Sequence, residues 1–164
     1  MLADKEIIEL INADPPLIRD FRSLAEQLQP AGFDVTVRKI TAPRGEARLG
    51  GPHRSRVATE SEILLEEGFY RLCPGYYIFY LNEYLSLPKD IAGIALARST
   101  LMRCGGWLSS GLWDPGFRGR GRLGLSVANP AGLLVEADSP FAQISFFRLS
   151  GQSKGFQFNQ YYAE

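Results

Sequence analysis

The hydrophobic pattern changes its period early in the chain. Ile7, Leu10 and Ile11 recur at helical spacing, which predicts a short helix over residues 4–12 that Asp4 caps. A second helical turn is predicted over residues 23–28. From residue 33 onward the apolar positions form short runs, many with a period of two, separated by Gly, Pro, Asn or Asp. These runs predict strands at 33–37, 63–65, 69–72, 76–87, 91–97, 123–128, 133–135 and 144–149.

Many short strands and only one or two helices are typical of an all-β sandwich or barrel. A chain of 164 residues is the size of one domain. We expect this domain to cover residues 1–149. The last stretch, 150–164, mixes Gly, Ser, Gln and Asn with four aromatic residues and lacks strand alternation. It is predicted to be a mobile tail that docks on the domain.

Composition excludes several function classes. The net charge is zero, which gives no support to nucleic-acid or membrane-surface binding. No apolar run has the length of a membrane span, and the acidic N-terminus does not resemble a signal peptide. Cys73 and Cys104 are predicted to be buried, reduced thiols of a cytoplasmic protein. A single histidine, His53, argues against histidine-cluster zinc sites and Ser-His-Asp catalysis.

The one long polar stretch covers residues 42–56, where four arginines are opposed only by Glu46. These are Arg44, Arg48, Arg54 and Arg56. No aromatic residue lies between the charges, which favours a solvated hairpin tip over a phosphate- or nucleic-acid-binding loop.

Two segments carry candidate chemistry. If a helical turn starts at Ser99, its free N–H groups and the hydroxyls of Ser99 and Thr100 converge on one spot, as in phosphate sites. Arg98 and Arg103 would add charged donors on either side. Taken alone, the same residues fit an ordinary helix cap with two surface arginines.

The second segment contains Asp114 between Trp113 and a Pro-Gly pair. A type I or type II turn explains Asp-Pro-Gly without any function, and Phe117 is equally suited to the core. The residues by themselves leave both alternatives open.

The two segments together, Arg98-Ser99-Thr100-Leu101 and WDPGFRGRG at 113–121, resemble the trimeric dUTPase and dCTP deaminase superfamily. The likeness is greatest to the archaeal-type dUTPases of the deaminase-like branch. LADKEIIELI at the start resembles the N-terminal helix of that branch. LQPAGFDVTV at 28–37 resembles its first motif, and Ala142-Gln143 resembles its fourth. The resemblance covers nearly the whole chain, with residues 42–56 least comparable.

This resemblance implies a distorted jelly-roll, or β-clip, fold with a short N-terminal helix and another short helix at the second motif. It implies a homotrimer whose active sites are shared between subunits. The implied activity is Mg²⁺-dependent hydrolysis of dUTP to dUMP and pyrophosphate, a reaction of nucleotide metabolism. Such a hydrolase keeps uracil out of DNA and supplies dUMP for dTTP synthesis.

The resemblance also implies roles for individual residues. Asp114 would hold the deoxyribose 3′-hydroxyl and orient the attacking water, and Phe117 would pack where a ribose 2′-hydroxyl would lie. Asp34 would bind the metal through a water molecule. The triphosphate would contact Arg98, Ser99, Thr100, Arg103 and Gln143. The main chain of Ser109, Ser110, Gly111 and Leu112 would read the base. In the tail, Phe156 would stack on the base and Gln160 would touch phosphate.

One departure from the superfamily bears on the reaction. Its deaminases need a glutamate on the strand after the third motif, whereas residues 119–129 contain no acid. Gly124 or Ser126 stands at that place, and neither transfers protons as a general acid or base. Deamination of dCTP, alone or combined with dUTP hydrolysis, is therefore the weaker alternative. A non-catalytic nucleotide-sensing module on the same fold is another.

Overall fold

A computed structural model describes residues 1–51, 54–151 and 153–155. The helices of this part of the chain are α1 (Asp4–Ile11), α2 (Leu24–Gln27) and α3 (Ser99–Arg103). Its strands are β1 (Ile18–Arg19), β2 (Leu28–Gln29), β3 (Gly32–Arg44), β4 (Thr59–Glu62), β5 (Leu65–Glu66), β6 (Phe69–Leu72), β7 (Gly75–Ser86), β8 (Ile91–Ala97), β9 (Gly106–Ser109), β10 (Leu112–Trp113), β11 (Arg118–Val127), β12 (Leu133–Glu136) and β13 (Pro140–Arg148).

Most strands belong to one antiparallel sheet, whose main path runs β10-β8-β13-β3-β7-β11-β9. The two ends of this path, β9 and β10, are consecutive in the chain and are joined only by Ser110 and Gly111. The sheet must therefore curl until its two edges come close together. β12, β6 and β5 form a second, three-stranded antiparallel sheet.

The core lies inside the curl and follows from the period-two pattern of the long strands. On β7, the alternate positions from Tyr77 to Leu85 are buried, with Glu83 among them, while the residues between these positions are more exposed. The ring of Phe79 packs against that of Phe141 on β13, with centroids 4.8 Å apart. α1 contributes the buried Ile7 to the same core.

The structure confirms the all-β prediction and most of the individual elements. Strands predicted at 69–72 and 91–97 coincide with β6 and β8, and the predicted helices match α1 and α2 within a residue or two. The strand predicted at 63–65 is wrong, because β4 ends at Glu62 and β5 begins at Leu65. The Ile63 N–H turns inward to the Ile40 carbonyl at 2.9 Å, and Leu64 is exposed.

Two local predictions also need correction. Asp4 does not cap α1, since Ala3 is the N-cap and its N–H donates to Glu6 Oε2 at 3.2 Å. Cys73 and Cys104 are free, as expected, but exposed rather than buried. Cys104 is at the C-terminal cap of α3, where its side chain reaches solvent.

Residues 45–51 and 54–57 are exposed, as expected for a solvated hairpin tip between β3 and β4. Arg48 and Arg56 pair through their backbones across this tip. His53 lies outside the described residues, as do Phe156 and Gln160. No helix in the described part of the chain is long and apolar enough to cross a membrane.

Candidate active site

Asp114 opens a tight turn directly after β10. Its carbonyl accepts the Phe117 N–H at 3.1 Å, and Gly116 has a φ of 86°, the geometry of a type II turn. The Gly116 N–H donates to the Leu87 carbonyl at 3.1 Å, and the Leu87 N–H donates to the Phe117 carbonyl at 2.8 Å. The turn is therefore held against the end of β7 by its own backbone and cannot shift freely.

The Asp114 side chain is exposed, whereas its neighbours Trp113 and Phe117 are buried. Within the described residues, no side chain forms an ion pair or hydrogen bond with its carboxylate. A free carboxylate thus projects from a rigid turn anchored by two aromatic residues. Phe117, only 3% exposed, belongs to the core, and its role beneath a sugar stays a prediction.

The segment predicted to read the base, Ser109 to Leu112, does not form a hairpin paired with itself. β9 pairs with β11 and β10 pairs with β8, so the segment bridges the two edges of the curled sheet. Ser110 Oγ accepts the Ala95 N–H at 3.3 Å and donates to the Gly111 carbonyl at 2.8 Å. The main chain of Ser110 and Gly111 lies outside the strand ladders, and its contact with a base stays a prediction.

The predicted phosphate-binding residues surround α3, which starts at Ser99 as expected. Arg98 is the N-cap, and no side chain caps the free N–H groups of the first turn. Ser99, Thr100 and Arg103 are exposed. Hydroxyls, uncapped N–H groups and a guanidinium therefore face solvent on one short helix, the phosphate corner, and their binding to phosphate stays a prediction.

Three residues distant in the sequence meet beside this corner. Arg98 Nε lies 3.3 Å from Asp34 Oδ2, and Arg98 Nη1 donates to the Pro140 carbonyl at 3.4 Å. Gln143 on β13 is the register partner of Asp34 on β3, so their side chains share one face of the sheet. Asp34 and Arg98 thus form a pair, with Gln143 on the same face of the sheet, so residues of the predicted first, second and fourth motifs lie in one region.

The Asp34 carboxylate is nearly inaccessible, with a side chain 5% exposed. Gln29 Nε2 donates to Asp34 Oδ2 at 3.3 Å, on the same oxygen that faces Arg98. Burial raises the pKa of Asp34, and the positive charge of Arg98 partly offsets this rise. Within a single chain, these contacts therefore indicate that Asp34 holds the side chain of Arg98 in place.

A buried polar network that the sequence analysis missed lies behind Asp34. Glu83 on β7 is fully buried; it accepts from Gln27 Nε2 at 2.7 Å and from the Thr36 hydroxyl at 2.7 Å. Gln27 Nε2 also donates to the Asp34 carbonyl at 3.0 Å. A sequence signal existed, because Glu83 is an acid in phase with the buried apolar positions of β7.

The structure separates the two halves of the predicted site within one chain. Trp113 pairs with Gly93 near the start of β8, while Arg98 follows the end of that strand. At about 3.3 Å per residue, the strand places the Asp114 turn and the Arg98 corner about 16 Å or more apart. One nucleotide held at both places of the same chain would have to bridge that distance.

At the place where the superfamily's deaminases carry a glutamate, this chain has a glycine that is covered by a side chain from another strand. Gly124 on β11 pairs with Ser109 on β9. A Cβ added to Gly124 would lie 1.9 Å from Tyr76 Oη and 2.7 Å from Tyr76 Cζ, since the tyrosine ring covers this glycine. No side chain fits at Gly124 unless Tyr76 moves away. Ser126, the other position considered, pairs with both Tyr76 and Trp107.

Metal-binding groups are sparse. The described residues contain no cluster of three or more His, Cys, Asp or Glu side chains suited to a metal ion. Asp34 is the carboxylate nearest the phosphate corner. An ion of the Mg²⁺ type often takes only one or two carboxylates and completes its shell with water and substrate phosphates.

Comparisons with known proteins give a consistent picture. The family model described as dCTP deaminase-like matches residues 1–149. A protein of Methanococcoides burtonii named probable deoxyuridine 5'-triphosphate nucleotidohydrolase is 34% identical over 151 residues, covering 91% of this chain and 89% of the relative. A protein of the same name from Archaeoglobus fulgidus is 36% identical over 157 residues, covering 96% and 93%.

Solved structures confirm the expected fold. A 2'-deoxycytidine 5'-triphosphate deaminase from Agrobacterium tumefaciens superposes with a TM-score of 0.67 at 24% identity, over 88% of this chain. The matched part is 47% of that deaminase. A dUTPase from phage phi11 of S. aureus gives a TM-score of 0.53 at 10% identity, covering 88% and 97%. At these identities the likeness supports the fold alone.

Proposed function

Since the chain belongs to the dCTP deaminase-like family, we propose that it is a hydrolase, a dUTP diphosphatase that converts dUTP to dUMP and pyrophosphate. The relatives that carry the nucleotidohydrolase name are similar over most of their length and most of this chain. The observation on which the proposal depends most is the unpaired carboxylate of Asp114, projecting from a turn that backbone hydrogen bonds hold fixed.

Asp114 has the properties that water activation requires. Its carboxylate is accessible, lacks a competing partner among the described residues, and is oriented by a rigid turn. It would accept a hydrogen bond from the 3′-hydroxyl and from a water molecule. The water oxygen bonds to the α-phosphorus as the bond to the α–β bridging oxygen breaks. Pyrophosphate leaves, and the water proton passes by way of the carboxylate to solvent.

The phosphate corner supplies positive charge where negative charge grows. Arg98, held by Asp34, and Arg103 would contact the triphosphate together with Ser99 and Thr100. Gln143 lies beside them on β13. Asp34 would hold Mg²⁺ only through water, since its carboxylate already faces Arg98. The ion would neutralise part of the charge on the phosphate oxygens.

We infer further that each active site is completed by a second copy of the chain in a homotrimer. The separation of about 16 Å between the Asp114 turn and the Arg98 corner supports this arrangement. So does a set of exposed apolar side chains on the elements around the site: Leu96, Met102, Trp107 and Leu112, which are 55–73% exposed. Surfaces of this kind are typical of protein interfaces.

Deamination of dCTP is the weaker alternative. The similar proteins of Methanococcoides burtonii and Archaeoglobus fulgidus are named nucleotidohydrolases, and the ring of Tyr76 occupies the space that a side chain at Gly124 would need. A non-catalytic nucleotide-sensing module would bind dUTP tightly without turnover. The accessible and unpaired carboxylate of Asp114 favours catalysis over this second alternative.

The test is pyrophosphate release from dUTP in the presence of Mg²⁺. Asp114→Asn, which keeps the shape and removes the charge, should lower kcat at least about a hundredfold. Asp90→Asn is the matched control, since Asp90 pairs with Arg148 at the opposite end of β13, and its turnover should equal that of the wild type. Full activity of Asp114→Asn, or ammonia release from dCTP, would refute the proposal.

The shared site has its own test. Asp114→Ala and Ser99→Ala, each inactive alone, should regain part of the activity when they are unfolded and refolded together. In mixed trimers, some sites receive an intact Asp114 from one chain and an intact Ser99 from another. Sedimentation should show three chains per particle. Mixed trimers without any recovered activity would place both residues in a site formed by one chain.

A further inference from the structure

A cavity of about 500 Å³ lies outside the predicted dUTP site and shares none of its residues. It is bounded by the end of α1, the end of β7, the Asp114 turn and the start of the tail. We call it the basic cavity; its lining is Leu10, Ala13, Asp14, Pro15, Leu17, Ser86, Leu87, Pro88, Lys89, Gly116, Arg118, Lys154 and Gly155. Its volume lies in the usual range for small-molecule sites.

The charges around the basic cavity are not balanced. Lys89, Arg118 and Lys154 contribute three positive charges, and Asp14 contributes one negative charge. Within the described residues none of these four side chains takes part in an ion pair. Three positive charges against one negative charge leave a positive potential over this concave surface, which attracts a multiply charged anion. Arg118 can also bind a phosphate through two parallel hydrogen bonds.

Apart from Ser86, the remaining lining is apolar. Its accessible part is formed by Leu10 and Pro88, which are half-buried, and by the exposed Ala13 and Pro15, while Leu17 and Leu87 lie behind them and are nearly inaccessible. A bare inorganic anion would use the rim and leave this surface in contact with water. An anion with a flat or apolar body would use both, because its body would bury apolar area while its charged end meets the cations.

The basic cavity is also connected to the Asp114 turn. Leu87, which lines it, exchanges backbone hydrogen bonds with Gly116 and Phe117 at 3.1 and 2.8 Å. Lys89 binds the start of the tail, since its carbonyl accepts the Ser153 N–H at 2.9 Å. A ligand in the cavity would therefore touch the residues that fix both the turn and the first residues of the tail.

From these observations we propose that the basic cavity binds an organic polyphosphate, with the phosphates on Lys89, Arg118 and Lys154 and the organic body on the accessible apolar wall around Leu10 and Pro15. The site is separate from the one proposed for dUTP hydrolysis, and its existence does not depend on that activity. A nucleotide has the required chemistry: several negative charges at one end and a flat base at the other.

ATP is a suitable probe, since its ribose and purine are what the proposed dUTP site would exclude. Calorimetric titration of the full chain with ATP, without Mg²⁺, should show one saturable site per chain. Lys89→Ala combined with Arg118→Ala should weaken binding at least about tenfold. Arg71→Ala, which removes an exposed arginine from β6 on the second sheet, is the charge-matched control and should bind ATP as the wild type does.

Four results would overturn the proposal. ATP showing no saturable binding would exclude the site. Equal weakening by Arg71→Ala would indicate attraction by the overall charge of the protein only. Loss of ATP binding in Asp114→Asn and Arg98→Ala would place the nucleotide in the dUTP site. Tripolyphosphate that binds as tightly as ATP would show that the apolar surface is not used, which contradicts an organic ligand.

The hydrolytic activity is measured in parallel, so that the two proposals can fail separately. Lys89→Ala with Arg118→Ala should still release pyrophosphate from dUTP when no ATP is present. If ATP binds as expected and the wild type does not hydrolyse dUTP, the proposal for the basic cavity is supported and the proposed function fails. If dUTP is hydrolysed and ATP does not bind, the proposed function is supported and the proposal for the basic cavity fails.

Discussion

Arg98 lies against Asp34, with Nε 3.3 Å from the carboxylate Oδ2. The aspartate side chain is 5% exposed and the arginine side chain 37% exposed, so the pair joins the interior to the surface of the predicted phosphate corner. An exposed pair would contribute little, but here one partner is buried and the other leads to the site. The pair fixes the direction of the guanidinium that is proposed to meet the triphosphate.

Asp34→Asn should therefore reduce phosphate binding through Arg98. We expect kcat/KM for dUTP to fall about tenfold or more, as a charge-assisted contact is replaced by a neutral one. If Asp34 acts through Arg98, then Asp34→Asn should add little to the loss already caused by Arg98→Gln. A steady-state double-mutant cycle measures this coupling. If the two substitutions instead lower kcat/KM independently, and if only Asp34→Asn needs more Mg²⁺ for activity, then Asp34 acts on the metal ion and not through Arg98.

The glycine of the Asp114 turn should matter for both stability and turnover. Gly116 has a φ of 86°, which an L side chain adopts at a cost of about 1–2 kcal/mol. Gly116→Ala should lower the free energy of unfolding by that amount and lower kcat, because the carboxylate of Asp114 changes direction. Gly151→Ala is the control, since Gly151 is exposed, has no positive φ and has open space around its Cα. Wild-type kcat in Gly116→Ala would show that the turn need not be rigid.

The fold could be predicted where side chains alternate strictly. β6 could be located to the residue because its buried and exposed positions alternate strictly, and β8 because it is a short, continuous apolar run bounded by polar residues. The apolar triplet at 63–65 misled the prediction for the opposite reason. Ile63 turns inward beside β3, whereas Leu64 and Leu65 are 74% and 47% exposed. In this segment an apolar residue is therefore not always a buried one.

The site could be predicted in its parts but not in its arrangement. The Asp114 turn is local, and Asp-Pro-Gly specifies it. The pairing of Asp34 with Arg98 and the hydrogen bonds of Glu83 with Gln27 join residues far apart in the sequence. Patterns of residue spacing along the chain do not predict contacts between residues so far apart in the sequence. The curl of the sheet, which separates Asp114 from Arg98, likewise depends on strand order that local patterns do not encode.

The contact between Tyr76 and Gly124 should behave as a coupled pair. Gly124→Ala pushes the tyrosine ring off β11, and we expect a cost of about 1–2 kcal/mol in the free energy of unfolding. In a Tyr76→Ala background the same change should cost clearly less, because only the contact with Ser109 Cβ at 3.2 Å then remains. Tyr76→Phe keeps the ring, so Gly124→Ala should remain costly there. Equal costs in all three backgrounds, measured by urea unfolding, would show that the ring does not fill this space.

Glu83 is expected to be essential for the stability of the fold. It is fully buried and accepts hydrogen bonds from the Thr36 N–H, the Thr36 hydroxyl and Gln27 Nε2. Glu83→Ala leaves these buried donors without an acceptor, at about 1–3 kcal/mol for each group. Urea unfolding should show a loss of about 3 kcal/mol or more. Glu66→Ala, which removes an exposed glutamate from β5, should change stability by less than about 0.5 kcal/mol.

The pH dependence of stability provides a sharper test of the same residue. Burial raises the pKa of Glu83 above the ordinary 4.5, and hydrogen bonds from Thr36 and Gln27 offset only part of this rise. In the pH range between the unfolded and folded pKa values, the native state keeps a proton that the unfolded state has lost. Stability should therefore be greatest below pH 4.5 as far as Glu83 is concerned, and its contribution should fall as the pH rises through the folded pKa. Glu83→Gln has no proton to lose, so this fall should be absent from its urea-unfolding profile. A variant with the wild-type pH profile would assign the dependence to another group.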